Sequence, residues 1–159
     1  MWDQLGYTGA GVIVAVIDTG VNTTNVSYAM PLWTGSAIEA VNIPVATDPD
    51  IAPARILPGR DFVFWTGPVI DMVGHGTHIA GTVLEDTNNA LGFAGMAYRA
   101  RLMPLKGCYG YWEIQFTRSA LGIPGFVNPS ETGTCPDSAV SDALPVDAKP
   151  DHTKPELIG

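Results

Sequence analysis

Val12-Ile13-Val14-Ala15-Val16-Ile17-Asp18-Thr19-Gly20 is the stretch that decides the fold. Its first six residues are apolar and mostly β-branched, with no polar residue on either alternating face. A strand of that kind is buried on both sides, the mark of a parallel sheet covered by helices. The run stops at Asp18-Thr19-Gly20. Open parallel sheets place their sites at the carboxyl ends of strands, so Asp18 is a candidate functional carboxylate. Gly9-Ala10-Gly11 precedes the strand and reads as a turn; a dinucleotide-binding loop would follow it.

Outward from this strand, residues 100–106 form a second buried strand candidate. Between the two, Gly74-His75-Gly76-Thr77-His78 opens a helical stretch that runs through residues 79–84. Ala80 and Gly81 within it allow close packing, and Asp86-Thr87-Asn88-Asn89 ends it. Residues 22–60 are rich in Pro, Gly, Asn and Thr and read as a long loop region, with one short helix near residues 37–41. Residues 60–65 are a short strand candidate. After Gly107 the pattern weakens, and residues 122–159 hold many prolines with no clear period, which predicts irregular structure.

The bulk composition narrows the classes. A chain of 159 residues makes one domain at most, and 46% apolar content can bury a core. With 18 Gly and 13 Pro, many tight turns are expected. A net charge of −8 argues against nucleic acid or an anionic membrane as partner, because phosphate binding needs clustered Lys and Arg. No run reaches the roughly 18 apolar residues of a membrane span. The start, Met1-Trp2-Asp3-Gln4, lacks a basic segment followed by an apolar one, so no signal peptide is visible. Cys108 and Cys135 fit either one disulfide or two free thiols, and their spacing is not that of a zinc site.

Three segments carry the chemistry. They are Val14-Ala15-Val16-Ile17-Asp18-Thr19-Gly20-Val21, Gly74-His75-Gly76-Thr77-His78-Ile79-Ala80-Gly81-Thr82, and Gly95 to Lys106 with its Met103-Pro104-Leu105-Lys106 end. In this order they resemble the subtilase family of serine peptidases, over about residues 5–107. A serine hydroxyl is a weak nucleophile at neutral pH, so an imidazole must take its proton. The resemblance assigns that role to His75. A buried carboxylate must hold the other ring nitrogen, and the resemblance assigns that to Asp18. The family's order is Asp, then His, then Ser, which Asp18 and His75 obey. Gly74 and Gly76 leave room for a tight helix entry and for substrate. His78 matches a family position that is not the base and is expected to be structural. Two other readings explain less. A single Asp-Thr-Gly of aspartic-peptidase type needs a homodimer and leaves residues 74–82 unexplained. A zinc pair of His75 and His78 lacks an intervening glutamate and a third ligand.

The family's nucleophile lies in a Gly-Thr-Ser-Met-Ala-x-Pro stretch. None of the six serines, Ser27, Ser36, Ser119, Ser130, Ser138 and Ser141, has that surround. Gly133-Thr134-Cys135 runs into Pro136-Asp137, a poor start for a nucleophile-bearing helix. Asn128, between Val127 and Pro129, matches poorly the asparagine that would stabilise an oxyanion. The Ser-Leu-Gly strand that lines the family's cleft is not found. Lys154-Pro155-Glu156-Leu157-Ile158-Gly159 is similar to the Lys-Pro-Asp-Ile-x-Ala-Pro-Gly segment that precedes the serine motif in many subtilases. The expectation is therefore deletion or divergence after residue 107 and an end just before the nucleophile. A truncated gene, an assembly error and a genuine inactive product all fit that pattern.

The resemblance also implies a structural calcium ion. Thr87-Asn88-Asn89-Ala90-Leu91-Gly92-Phe93 is similar to the family's calcium loop, with Asn89 as side-chain ligand and carbonyls completing the shell. A plain Asn-rich turn is the other reading, and the chemistry itself needs no cofactor. The resulting expectation is an α/β, subtilisin-like three-layer fold with an incomplete parallel sheet. Residues 1–107 would carry the Asp and His motifs, and residues 108–159 would be the altered remainder of the same domain. The implied activity is cleavage of proteins or peptides by a secreted serine endopeptidase, with little or no turnover from these 159 residues alone. The alternative is a non-catalytic pseudo-peptidase that binds peptide or regulates. Oligomeric state is left open.

Overall fold

Along the chain run β1 (Ile13–Asp18), β2 (Val26–Trp33), β3 (Ile38–Val45), β4 (Arg60–Asp61), helix α1 (His75–Leu84), β5 (Arg101–Lys106), α2 (Tyr111–Ala120), α3 (Asp137–Ala143) and β6 (Glu156–Ile158). This computed structural model describes residues 5–64, 69–127, 134–143 and 156–158. The β-branched run is β1, and it lies inside a four-stranded sheet of order β4-β5-β1-β6. All three pairings are parallel, and β1 meets β5 in register from Ile13 opposite Arg101 to Asp18 opposite Lys106.

The period of two along β1 sorts its side chains into two cores. Val14 and Val16 pack with Ala80, Val83, Leu84 and Leu102 beneath α1. Ala15, with Ile17 beside it, packs with Leu105, Phe62, Ala139 and Ala143 beneath α3. Each fully buried aliphatic side chain contributes about 1.5–3 kcal/mol, so both faces hold the sheet in place. The molecule is thus the three-layer α/β arrangement that the sequence predicts. No helix among the described residues is long and apolar enough to cross a membrane.

Three expectations need correction. The region 22–60 contains an antiparallel hairpin, β2 on β3, running from Val26 opposite Val45 to Trp33 opposite Ile38. Residues 37–41, expected as a short helix, therefore belong to the hairpin. Val41, Ile43 and Val45 alternate with more exposed neighbours, a period of two that the prolines obscured. A two-stranded sheet tolerates Pro31 and Pro44, because each strand has an unpaired side. The strand expected over 60–65 stops at Asp61. There, the Asp61 carboxylate accepts the N–H groups of Val63 (2.8 Å) and Phe64 (2.9 Å) and turns the chain aside.

The stretch after Gly107 is more ordered than its pattern suggests. Helix α2 buries Glu113, Gln115, Phe116 and Ser119 while Trp112 is about half exposed, so no apolar stripe marks it. Glu113 pairs with the buried Lys106 at 2.9 Å and also accepts the Gly110 N–H at 2.9 Å, which starts the helix. Cys108 and Cys135 form a disulfide. Asn128 and Ser130 lie outside the described residues, as do Lys154, Pro155 and Gly159; β6 pairs with β1 from Val14 opposite Glu156 to Val16 opposite Ile158.

Candidate active site

Asp18 is the last residue of β1, and the chain beyond it is held on both sides. Its carbonyl accepts the N–H groups of Gly107 (2.9 Å) and Cys108 (3.1 Å), which anchors the end of β1 to the end of β5. Its carboxylate accepts the Thr19 N–H at 2.6 Å. The side chain is 15% exposed.

Helix α1 begins directly against that strand end. A side chain at Gly76 would bring its Cβ within 2.1 Å of the Gly20 carbonyl and 3.0 Å of Asp18 Cβ, so only glycine permits the approach. Gly76 thus serves the tight helix entry that the sequence reading gave it together with room for substrate. Gly74, at φ 92°, makes the left-handed turn into the helix and has no side chain to cap it. The orphan donors of the first turn go elsewhere. Gly76 N–H donates to Thr19 Oγ1 (3.0 Å), and Thr77 N–H donates to Asp71 Oδ2 (2.8 Å). Asp71 Oδ1 accepts the N–H groups of Val73 (3.0 Å) and Gly74 (2.8 Å) and the Thr19 hydroxyl (2.8 Å). Asn22 clasps Asp71 through reciprocal backbone bonds of 2.9 Å each. Asp71 and Asn22 were not singled out by sequence reasoning. An acid three positions before a helix-opening glycine was the signal for Asp71; Asn22 carried none.

The sequence-predicted pair meets. His75 Nδ1 lies 2.8 Å from both carboxylate oxygens of Asp18. An ionised carboxylate only accepts, so the ring proton sits on Nδ1 and the lone pair on Nε2. The imidazole is 62% exposed. Its pKa is raised above the ordinary value by the hydrogen bond to Asp18 and by the charge of Asp18, against an opposing effect of burial, with the smallest contribution, also upward, from Asp71. For Asp71, burial works to raise the pKa. It is outweighed by the backbone N–H groups of Thr77 and Gly74 and by the hydroxyls of Thr77 and Thr19, and the net shift is downward.

A cavity of about 530 Å³ opens beside the ring, lined by His75, Thr19, Met72, the Cys108–Cys135 pair and Trp112 among others. No serine is among its described lining residues. Ser119 is buried in α2, where its hydroxyl accepts the Trp33 N–H at 3.1 Å. The arrangement sets an oriented imidazole beside a partly aromatic wall, with threonine and tyrosine hydroxyls but no serine in the described part of that wall. His78 projects from the same helix into a different cavity, with Asp48 and Glu85.

The loop after α1 places Asn89 against a residue the sequence reading did not identify. The Asn89 amide hydrogen-bonds Asp50 Oδ1. Asp50 is 2% exposed, and its Oδ2 is buried without a hydrogen-bond partner. A buried anionic oxygen without a donor is costly, and a cation removes that cost. Asn88 and Ala90 take left-handed φ values of 62° and 63°, with Gly92 at 46°, so every second residue bends the loop. Among the described residues no three His, Cys, Asp or Glu side chains converge on a metal position. An ion here would draw mainly on amide and carbonyl oxygen, the donor set suited to calcium.

Comparison with known proteins shows the family of the chain. Residues 9–124 match the family model described as "Subtilase family". The chain is 34% identical over 157 residues to the "Extracellular protease" of Xanthomonas campestris pv. campestris, covering 82% of this chain and 24% of that protein. It is 34% identical over 123 residues to the "Extracellular basic protease" of Dichelobacter nodosus, covering 70% of this chain and 20% of that protein. The chain therefore spans about a quarter or less of the length of these relatives. Among solved structures, MycP1 with its N-terminal propeptide removed is 32% identical and covers 65% of this chain and 25% of that one, at a TM-score of 0.44.

Proposed function

The chain belongs to the subtilase family, and we propose that Asp18 and His75 are the acid and base of a Ser-His-Asp triad directed at peptide bonds in proteins. The observation that carries this reading is the 2.8 Å contact of His75 Nδ1 with both oxygens of Asp18. In that arrangement His75 Nε2 removes the proton from a nucleophilic hydroxyl as it attacks the scissile carbonyl. The imidazolium that forms is stabilised by Asp18, which keeps its own negative charge. His75 then returns the proton to the leaving amine. The raised pKa of His75 suits this duty, because it makes the ring a stronger base toward the hydroxyl.

We read residues 1–107 and 108–159 as parts of one catalytic domain; the packing of Ala139 and Ala143 against Ala15 and Leu105 supports this. A secreted protein is supported by the disulfide, which persists in oxidising compartments, and by the extracellular relatives. Asp50 and Asn89 would hold a calcium ion, supplying oxygen ligands at the junction of α1 with the segment after β3. Its contribution would be structural, and no chemical step passes through it.

These 159 residues contain no serine in the family's motif, and the described wall of the cavity contains none. That observation favours a second reading for the isolated chain: peptide held beside His75 without cleavage. The expected outcome is no hydrolysis of casein or fluorogenic peptides by the 159-residue chain and no labelling by a fluorophosphonate. Turnover that a serine-directed phosphonate blocks would overturn the expectation. Saturable peptide binding without turnover, read by calorimetry, would select the binding module.

A further inference from the structure

We infer that Asp71 is the positioning residue of the Asp18–His75 pair, fixing the turn and helix start that carry His75 against the end of β1. This rests on the reading of that pair as acid and base. The oxygens of Asp71 accept four hydrogen bonds between 2.8 and 3.0 Å from two elements. Three come from the turn and first helical residues: Val73, Gly74 and Thr77. The fourth comes from Thr19, the residue after Asp18.

Thr19 makes the network a bridge. Its hydroxyl donates to Asp71 and accepts from Gly76, while its backbone N–H donates to Asp18 Oδ1. His75 stands between Gly74 and Gly76, both of which the bridge holds. The ring torsions alone remain to be set, and the Asp18 contact sets them. No neutral side chain of this shape can replace the carboxylate. An amide in its place turns one acceptor into a donor, facing either the Thr77 N–H or the other three donors. The network is nearly dry, with Asp71 at 4% exposure and Thr19 at 8%, so a lost acceptor is not replaced by bulk water.

The other groups around His75 are accounted for. Asp18 faces it from β1 and Asp71 from the turn before α1. Tyr109 and Tyr111 line the same cavity from the segment between β5 and α2. Lys106 is engaged below, donating to the Thr19 and Ile70 carbonyls and pairing with Glu113. Thr134 and Cys135 complete the wall without charge.

The test is an NMR titration of the imidazoles in the 159-residue chain, assigned with His78→Gln and His152→Gln. Four proteins are compared: wild type, Asp18→Asn, Asp71→Asn and Thr19→Val. Thr19→Val removes the bridge and leaves every charge in place. The expected result is a lower His75 titration midpoint in both Asp71→Asn and Thr19→Val, with His78 unmoved. Above its midpoint, neutral His75 should hold its proton on Nδ1 in wild type and spread it over both nitrogens in the two variants, read from ring ¹⁵N shifts. The Gly76 amide should exchange roughly tenfold faster in Thr19→Val. A lower midpoint in Asp71→Asn alone, with the tautomer kept, would mean that only the charge of Asp71 acts, and positioning is overturned. An unchanged midpoint in both, with a lower Tm, would leave Asp71 a helix cap and nothing more. If Asp71→Asn does not fold, Thr19→Val decides alone. If Asp18→Asn leaves His75 unchanged, the acid–base pair itself fails, whatever Asp71 does.

Discussion

The unit formed by β1, α1 and β5 and the hairpin of β2 on β3 are built by different forces. In the first, Val14, Leu84 and Leu102 are almost fully buried, and contacts between distant residues set the register. In the second, no strand residue is fully buried, and the hairpin is held by its own ladder and by one side of α2. Asp18 and His75 both stand on the first unit. A site that needs two groups held at 2.8 Å is built where packing leaves no slack, and the hairpin stays outside the acid–base contact.

The largest expected effect tests that contrast directly. Leu102→Ala empties a position with 0% exposure on β5, packed with residues of β1 and α1. It should lower unfolding stability by about 3–4 kcal/mol. Ile43→Ala, on the half-exposed hairpin, should lower it by about 1 kcal/mol. Equilibrium urea unfolding measures both. Equal losses would break the comparison and make the hairpin part of the essential core.

A smaller effect sharpens the contrast at the place where the two regions touch. Asp50 follows the hairpin and Asn89 follows α1, so an ion shared by them would tie one region to the other. Calcium at about 100 times its Kd should add about 2.7 kcal/mol and raise Tm. Asp50→Asn should abolish the increment and, because Asp50 Oδ2 lacks a partner, be nearly neutral in EDTA. A calcium response that survives Asp50→Asn would place the ion elsewhere.

What the sequence revealed follows the same division. An unbroken β-branched run such as residues 12–17 has only one comfortable place, and Gly-His-Gly before a helix has few alternatives, so β1, α1, β5, Asp18 and His75 were readable. Helix α2 was not, because it buries Glu113, Gln115 and Ser119, residues whose burial depends on partners such as Lys106 and the Trp33 N–H. Hairpin β2–β3 hid its period of two behind Pro31 and Pro44. Asp50 looks like an ordinary loop acid until the fold brings Asn89 to it, and the position of Asp71 before Gly74 marks a helix start but not its bond to Thr19. Pairings across 39 and 52 positions leave no local trace in the chain.

The smallest effect separates two charges within the first unit by pH. Asp71 has a pKa below the ordinary 3.8, so its contribution to stability is complete above that value and is lost as pH falls through its folded-state pKa. His75 has a pKa above the ordinary 6.5, so its contribution is complete below that value and is lost as pH rises through its folded-state pKa. Both contributions are therefore present together between about pH 4 and pH 6.5. The stability difference between wild type and Asp71→Asn should shrink as pH falls from 4 toward 2. That between wild type and His75→Gln should shrink as pH rises above 6.5, and by less, because the imidazole is 62% exposed and its interaction with Asp18 is screened. Thermal unfolding across pH 2–9 reads both limbs. A His75→Gln difference that grows with rising pH would mean that the ring is bound by Asp18 in its neutral form more tightly than in its charged form. The carboxylate would then not be ionised beside it, and the acid–base assignment would have to be reversed.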